Sequence, residues 1–164
     1  MASLKYGCLK AAVKSIELPV AASQYFYHNG VNAVYLDGSG HVTLALTATA
    51  TLFGVAIVPK GRGAGTSDNY WLSSSTAGKD KIPVIPVSEN AQFLMPADDT
   101  VTAAMRGNAC DLIAVNNGTA TTVDVGTSST DVFLIEGLGT DYKADAAATD
   151  VVVRINPAKV QADT

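Results

Sequence analysis

The chain has 164 residues, a formal net charge of −4, 48% hydrophobic residues and only 16% charged ones. That length suits one domain, with enough surface to bury that folding needs no metal or disulfide. The acidic balance would repel a phosphate backbone, which argues against nucleic acid as a partner. No apolar run approaches the roughly 20 residues of a membrane helix, which argues against a membrane partner too.

Residues 1–30 read as an N-terminal arm and lead-in segment, and residues 31–164 as a β-domain. Lys5, Lys10 and Lys14 precede the first acid, Glu17. They suit either a solvated basic tail or an arm that docks on an acidic neighbour. The lysines are followed by no apolar core of the kind a signal peptide carries, so none is expected. Residues 13–20 are expected to be extended, since Pro19 opposes a long helix. An aromatic cluster follows at Tyr25, Phe26 and Tyr27.

Residues 33–37 and 41–47 flank Asp37-Gly38-Ser39-Gly40 and predict a hairpin. Val42, Leu44 and Leu46 alternate with His41, Thr43, Ala45 and Thr47, so one face is apolar. Residues 52–58 are continuously apolar and predict a central strand. Residues 61–80 are rich in Gly and Ser and predict a long loop. Tyr70 and Trp71 sit within it, either tucked onto the domain or presented to a partner. Residues 81–87 look β-like, but Pro83 and Pro86 predict an edge or bulged strand.

Residues 92–95 predict a short strand. Asp98-Asp99-Thr100 can cap a short helix running to Arg106 and ending at Gly107. Residues 110–115 and 121–125 predict a second hairpin across Asn116-Asn117-Gly118-Thr119. Asn117-Gly118-Thr119 also matches a glycosylation sequon, but the turn explains it. Residues 131–136 and 150–155 predict two last strands, and residues 156–164 a loose polar tail. Frequent turns without helical periodicity predict an all-β fold, a small barrel or sandwich-like domain of short antiparallel strands with an extended N-terminal arm.

Each search for chemistry fails at a residue that the chemistry requires. His28 and His41 are the two histidines, in unrelated settings, and a zinc site needs three or four clustered ligands. Asp98, Asp99, Asp141 and Asp145 lack EF-hand spacing. No Gly-x-Ser-x-Gly elbow occurs. Ser73 to Lys79 lacks the first glycine of a phosphate loop, and Asp80 replaces its Ser or Thr. Cys8 and Cys110 suit free thiols packed as small apolar groups better than a disulfide. No cofactor is expected, and an enzyme is the least favoured class.

Several stretches resemble the head-decoration, or capsid cement, proteins of tailed bacteriophages. They are residues 31–42, residues 51–56, residues 108–115 and residues 128–137, with the ending Val151-Val152-Val153-Arg154-Ile155-Asn156. The resemblance implies a β-barrel-like domain with an N-terminal arm. It also implies a structural, non-enzymatic virion protein, made in the host cytoplasm and bound to the outer capsid surface. The partners it implies are the major capsid protein and itself, as a homotrimer. The capsid-interface candidates are Lys5, Tyr6, Lys10, Lys14, Tyr25, Phe26, Tyr27, Tyr70 and Trp71. The alternative is a carbohydrate-binding or adhesion module of a phage tail or fibre, with Tyr70 and Trp71 stacking on sugars.

Overall fold

The computed structural model describes residues 6–10 (the backbone alone of Lys10), 14–28, 30–59, 62, 69–87 and 91–161. The fold is all-β and built from antiparallel sheets. The strands are β1 (Gly7–Lys10), β2 (Ile16–Pro19), β3 (Tyr25–Tyr27), β4 (Asn32–Leu36), β5 (Val42–Leu44), β6 (Gly54–Ala56) and β7 (Tyr70–Leu72). They continue with β8 (Lys81–Pro86), β9 (Gln92–Pro96), β10 (Ala109–Ile113), β11 (Thr122–Asp124), β12 (Phe133–Leu138) and β13 (Asp150–Ile155). One sheet runs β1-β9-β13-β12-β10-β11, a second β2-β8-β6-β4-β5, and β3 pairs with β7 as a separate ribbon.

The five-stranded sheet is apolar on both faces, and this sets the layering. Along β4, Ala33 faces one core and Val34 the other. The larger core joins Ala33, Leu52 and Val55 to Phe93, Met95, Leu112, Phe133 and Val153 of the six-stranded sheet. The smaller core lies on the opposite face, where Val34, Val42, Leu44, Ile82 and Val84 meet Phe26 and Trp71 of the ribbon. The sheet curls as a half-barrel around it: the chain leaving β2 reaches β5 through a Val20–Val42 bridge. Fully burying each Phe, Ile or Leu here contributes about 1.5–3 kcal/mol.

Both predicted hairpins form, β4 with β5 and β10 with β11. Asp37 Oδ1 closes the first by accepting from the Ser39 and His41 N–H groups at 2.9 Å. Residues 52–58 supply β6, the middle strand of its sheet. The described part of the expected arm adds an outer strand to each of the two larger sheets, β1 beside β9 and β2 beside β8.

Four expectations need correction. First, the expected loop at 61–80 contains strand β7, although residues 61 and 63–68 lie outside the described ones. Second, β8 is an inner strand despite Pro83 and Pro86. The Pro83 carbonyl accepts from Ile57 N–H, just past the end of β6, so Pro83 sits at the last rung of that ladder and its missing N–H forfeits a single bond. Pro86 lies beyond Val84, where the β2 ladder ends.

Third, the expected helix after Asp98 is a single 3₁₀ turn, Ala103–Met105. Asp98 does not cap it, because its carboxylate accepts from Val125 N–H at 3.0 Å instead. Fourth, the tail is tied down as far as Gln161. Its amide accepts from Leu36 N–H and donates to the Leu36 carbonyl, both at 2.7 Å, and Val160 bridges Leu52.

One buried carboxylate organises the entry to β12. Asp111 accepts from the N–H groups of Ser129, Thr130 and Asp131 at 2.8–3.0 Å, and from the Ser129 hydroxyl. Burial by itself would raise its pKa. The Ser129 hydroxyl and then the three N–H groups outweigh that and bring it down to about 2. The neighbouring Cys110 is a buried thiol, pushed up to about 12 by burial first and the Asp111 charge second.

Candidate interaction surface

The ribbon of β3 and β7 carries most of the aromatic candidates, and its alternation sorts them. Three-residue strands pointing side chains to alternate faces send the middle residue one way and its neighbours the other. Phe26 and Trp71 are the middle residues and are paired across the ribbon. Both are buried, with ring centroids 5.7 Å apart and planes 20° from parallel. The Arg62 guanidinium sits 4.7 Å from the centre of the Trp71 ring and donates to the Lys81 carbonyl, which closes the smaller core. Phe26 and Trp71 are therefore core residues and offer no surface to a capsid or a sugar.

The other face of the ribbon looks outward. Tyr25 lies opposite Leu72 and Tyr27 opposite Tyr70. Tyr25 and Tyr70 meet diagonally, 5.0 Å between centroids with planes at 61°, an edge-to-face contact. All three tyrosines are half-buried, and Leu72 is 44% exposed. Val115 stands at the head of the β10–β11 turn and is 55% exposed.

Side-chain amides hold this ribbon in place. Asn116 Oδ1 accepts from Tyr25 N–H at 2.9 Å, while its Nδ2 donates to the Ser23 carbonyl. Asn32 is buried; its Oδ1 accepts from Tyr27 N–H at 2.7 Å and its Nδ2 donates to the Tyr27 carbonyl at 2.9 Å. Each amide imitates the donor and acceptor of a neighbouring strand, so the Tyr25 N–H and both backbone groups of Tyr27 are paired on the outer edge of β3 without one. Ser73 ties the base of the ribbon, accepting from Gln24 N–H and donating to the Ala21 carbonyl.

Two glycines make room for two of the tyrosines. A Cβ on Gly30 would lie 2.7 Å from Tyr27 Cδ1, and one on Gly118 would lie 2.4 Å from Tyr70 Cδ1. The rings thus rest on backbone that a larger residue would push away.

The remaining candidates are dispersed. Tyr6 lies beside the edge of the six-stranded sheet, where its hydroxyl donates to the buried Asp150 at 3.0 Å. Lys14 is exposed at the start of the segment leading into β2. Lys5 and the side chain of Lys10 lie outside the described residues. The structure therefore brings together Tyr25, Tyr27 and Tyr70, and leaves Tyr6 and Lys14 elsewhere.

Leu72, Asn32, Asn116 and Gly118 complete the surface and were not singled out from the sequence as parts of it. The Tyr70-Trp71-Leu72 alternation is the available signal, but Gly- and Ser-rich flanks hide it. Among the described residues no group of three or more His, Cys, Asp or Glu could hold a metal ion, and no helix is long and apolar enough to cross a membrane. Asp141 instead pairs with Arg106 and accepts from Leu138 N–H, and both contacts hold its carboxyl below the usual range. A further cleft of about 210 Å³ opens between β1 and the end of β6, lined by residues that include Tyr6, Cys8, His28 and Val55.

No protein-family model, curated protein or solved structure matches this chain.

Proposed function

We propose that this chain is a structural protein of a tailed-phage virion that binds the outer surface of the head and stabilises it. The observation that carries the reading is the outward ribbon face of Tyr25, Tyr27, Tyr70 and Leu72. Tyrosine supplies large contact area at small entropic cost and is enriched where proteins adhere. Here Asn116 and Asn32 hold the backbone of Tyr25 and Tyr27, and Gly30 and Gly118 back the rings of Tyr27 and Tyr70, so docking would immobilise little that is not already held. The sequence resemblance to head-decoration proteins supplies the partner: the major capsid protein, with neighbouring copies of the chain joined as a trimer. Many such contacts around a lattice add by avidity, so no single one need be strong.

The test is to mix the purified protein with expanded, undecorated heads and image them by cryo-electron microscopy. Ordered density on the outer surface, with the ribbon against the capsid or a neighbouring copy, is the expected result. Bare heads at micromolar protein would overturn the reading.

The same tyrosines also support a second reading, a carbohydrate-binding module, because aromatic faces stack on sugars. The 61° angle between Tyr25 and Tyr70 favours the first reading, since the two rings form no continuous plane. A glycan array separates the two. A hit abolished by Tyr70→Ala supports sugar binding, and a blank array alongside decorated heads supports the capsid.

A further inference from the structure

The turn at Asn117 carries a chemistry that the docking reading does not use. Asn117 is exposed and is followed by Gly118, whose φ is +83°. The Asn117 amide oxygen accepts two hydrogen bonds, from Thr119 N–H at 3.1 Å and from the Thr119 hydroxyl at 2.7 Å. The Asn117 N–H donates to the Val115 carbonyl at 2.9 Å, which fixes the start of the turn. The Gly118 N–H finds no acceptor among the described residues. A backbone nitrogen without a flanking Cβ thus follows directly on a side-chain carbonyl that two donors polarise.

We propose that Asn117 is a self-modification site, where the Gly118 nitrogen closes on the Asn117 side chain to form a cyclic imide. The Gly118 amide proton leaves to a solvent base. Its nitrogen forms a bond to Asn117 Cγ, and negative charge develops on Oδ1. The two Thr119 donors already point at that oxygen and stabilise the charge, as an oxyanion hole does. The Cγ–Nδ2 bond then breaks, and the amide nitrogen takes a proton and departs as ammonia. Water opens the imide at one of its two carbonyls. Opening at Cγ gives aspartate, and opening at the main-chain carbonyl gives isoaspartate, with the chain rerouted through the side chain. No redox partner or second substrate is needed.

The product places a carboxylate beside Asn116, which holds Tyr25, and beside Gly118, on which the Tyr70 ring rests. The chemistry itself stands whether or not the ribbon docks on a capsid.

The experiment is incubation of the folded protein at neutral and mildly alkaline pH, followed by peptide mass spectrometry and isoaspartyl methyltransferase labelling. Asn117 is expected to convert before the adjacent Asn116, giving both acids at a rate that rises with pH. Thr119→Val removes the hydroxyl donor and should slow the folded protein about fivefold, the worth of one hydrogen bond. The same variant unfolded in urea should convert at the wild-type unfolded rate. The proposal is overturned if folded Asn117 stays an amide while the urea-unfolded chain converts. It is also overturned if Thr119→Val leaves the folded rate unchanged. Gly118→Ala is not a usable control, because its Cβ would strike Tyr70.

Discussion

The Tyr70 ring occupies the space that a side chain at residue 118 would need: a Cβ there would sit 2.4 Å from Tyr70 Cδ1. This contact joins the ribbon to the β10–β11 turn, so a glycine chosen by a hairpin also positions a half-buried aromatic of the outward face. Gly118→Ala therefore carries two penalties, the ring clash and the left-handed φ of +83°. We expect a loss of about 2–4 kcal/mol in urea unfolding. In a Tyr70→Ala background the clash vanishes and about 1–2 kcal/mol should remain. Equal losses in the two backgrounds would show that the ring and the turn are uncoupled.

Truncating the inward and outward faces of the ribbon should separate stability from docking. Trp71→Ala or Phe26→Ala empties the smaller core and should cost about 3–5 kcal/mol. Tyr25→Ser or Leu72→Ser removes half-exposed surface and should cost about 1 kcal/mol or less. Thermal melts compare them directly, and a Trp71→Ala melt matching wild type would contradict the placement of Trp71.

Acid should loosen the entry to β12 through Asp111. Its pKa is lowered from 3.8 to about 2 in the folded chain, so the unfolded chain binds the proton more readily. The stabilisation, about 2 kcal/mol, is present above pH 4 and is lost as the pH falls through about 2. Asp111→Asn should lose comparable stability at neutral pH and flatten the dependence below pH 4. Urea midpoints measured between pH 7 and pH 2 decide this. A wild-type curve parallel to that of the variant would contradict the role given to the Ser129–Asp131 donors.

Cys110 should be silent to thiol reagents while the chain is folded. Only the thiolate reacts, and a pKa of about 12 together with burial leaves almost none at neutral pH. Iodoacetamide labelling, read at each cysteine by mass spectrometry, should reach Cys110 only in denaturant. Rapid native labelling of Cys110 would contradict its burial.

Much of this fold was legible in the sequence wherever neighbours along the chain decide it. Asp37-Gly38 and Asn117-Gly118 marked their hairpins, and the apolar run around Val55 marked a central strand. What escaped was decided by distant partners. Strand β7 exists because β3 offers Phe26 to Trp71, a pairing invisible in the Gly- and Ser-rich flanks of residue 70. Pro83 and Pro86 predicted an edge or bulged strand, but Pro83 sits at the last rung of the ladder with β6 and Pro86 lies beyond the end of the ladder with β2. Gln161 looked like loose tail until Leu36 supplied its donor and acceptor. The surface was half legible: Tyr25, Tyr27 and Tyr70 stood out as aromatics. Which rings face out depends on alternation within strands too short to announce themselves, so Phe26 and Trp71 were grouped with them.

The central claim is that the outward ribbon face is the docking surface, and co-sedimentation with expanded, undecorated heads tests it most directly. The wild-type chain should pellet with heads in a saturable way. The triple variant Tyr25→Ser, Tyr70→Ser, Leu72→Ser, checked by circular dichroism to be folded, should bind at least about 100-fold more weakly, as expected when interface anchors are lost. A folded triple variant that pellets with heads as the wild type does would contradict the claim.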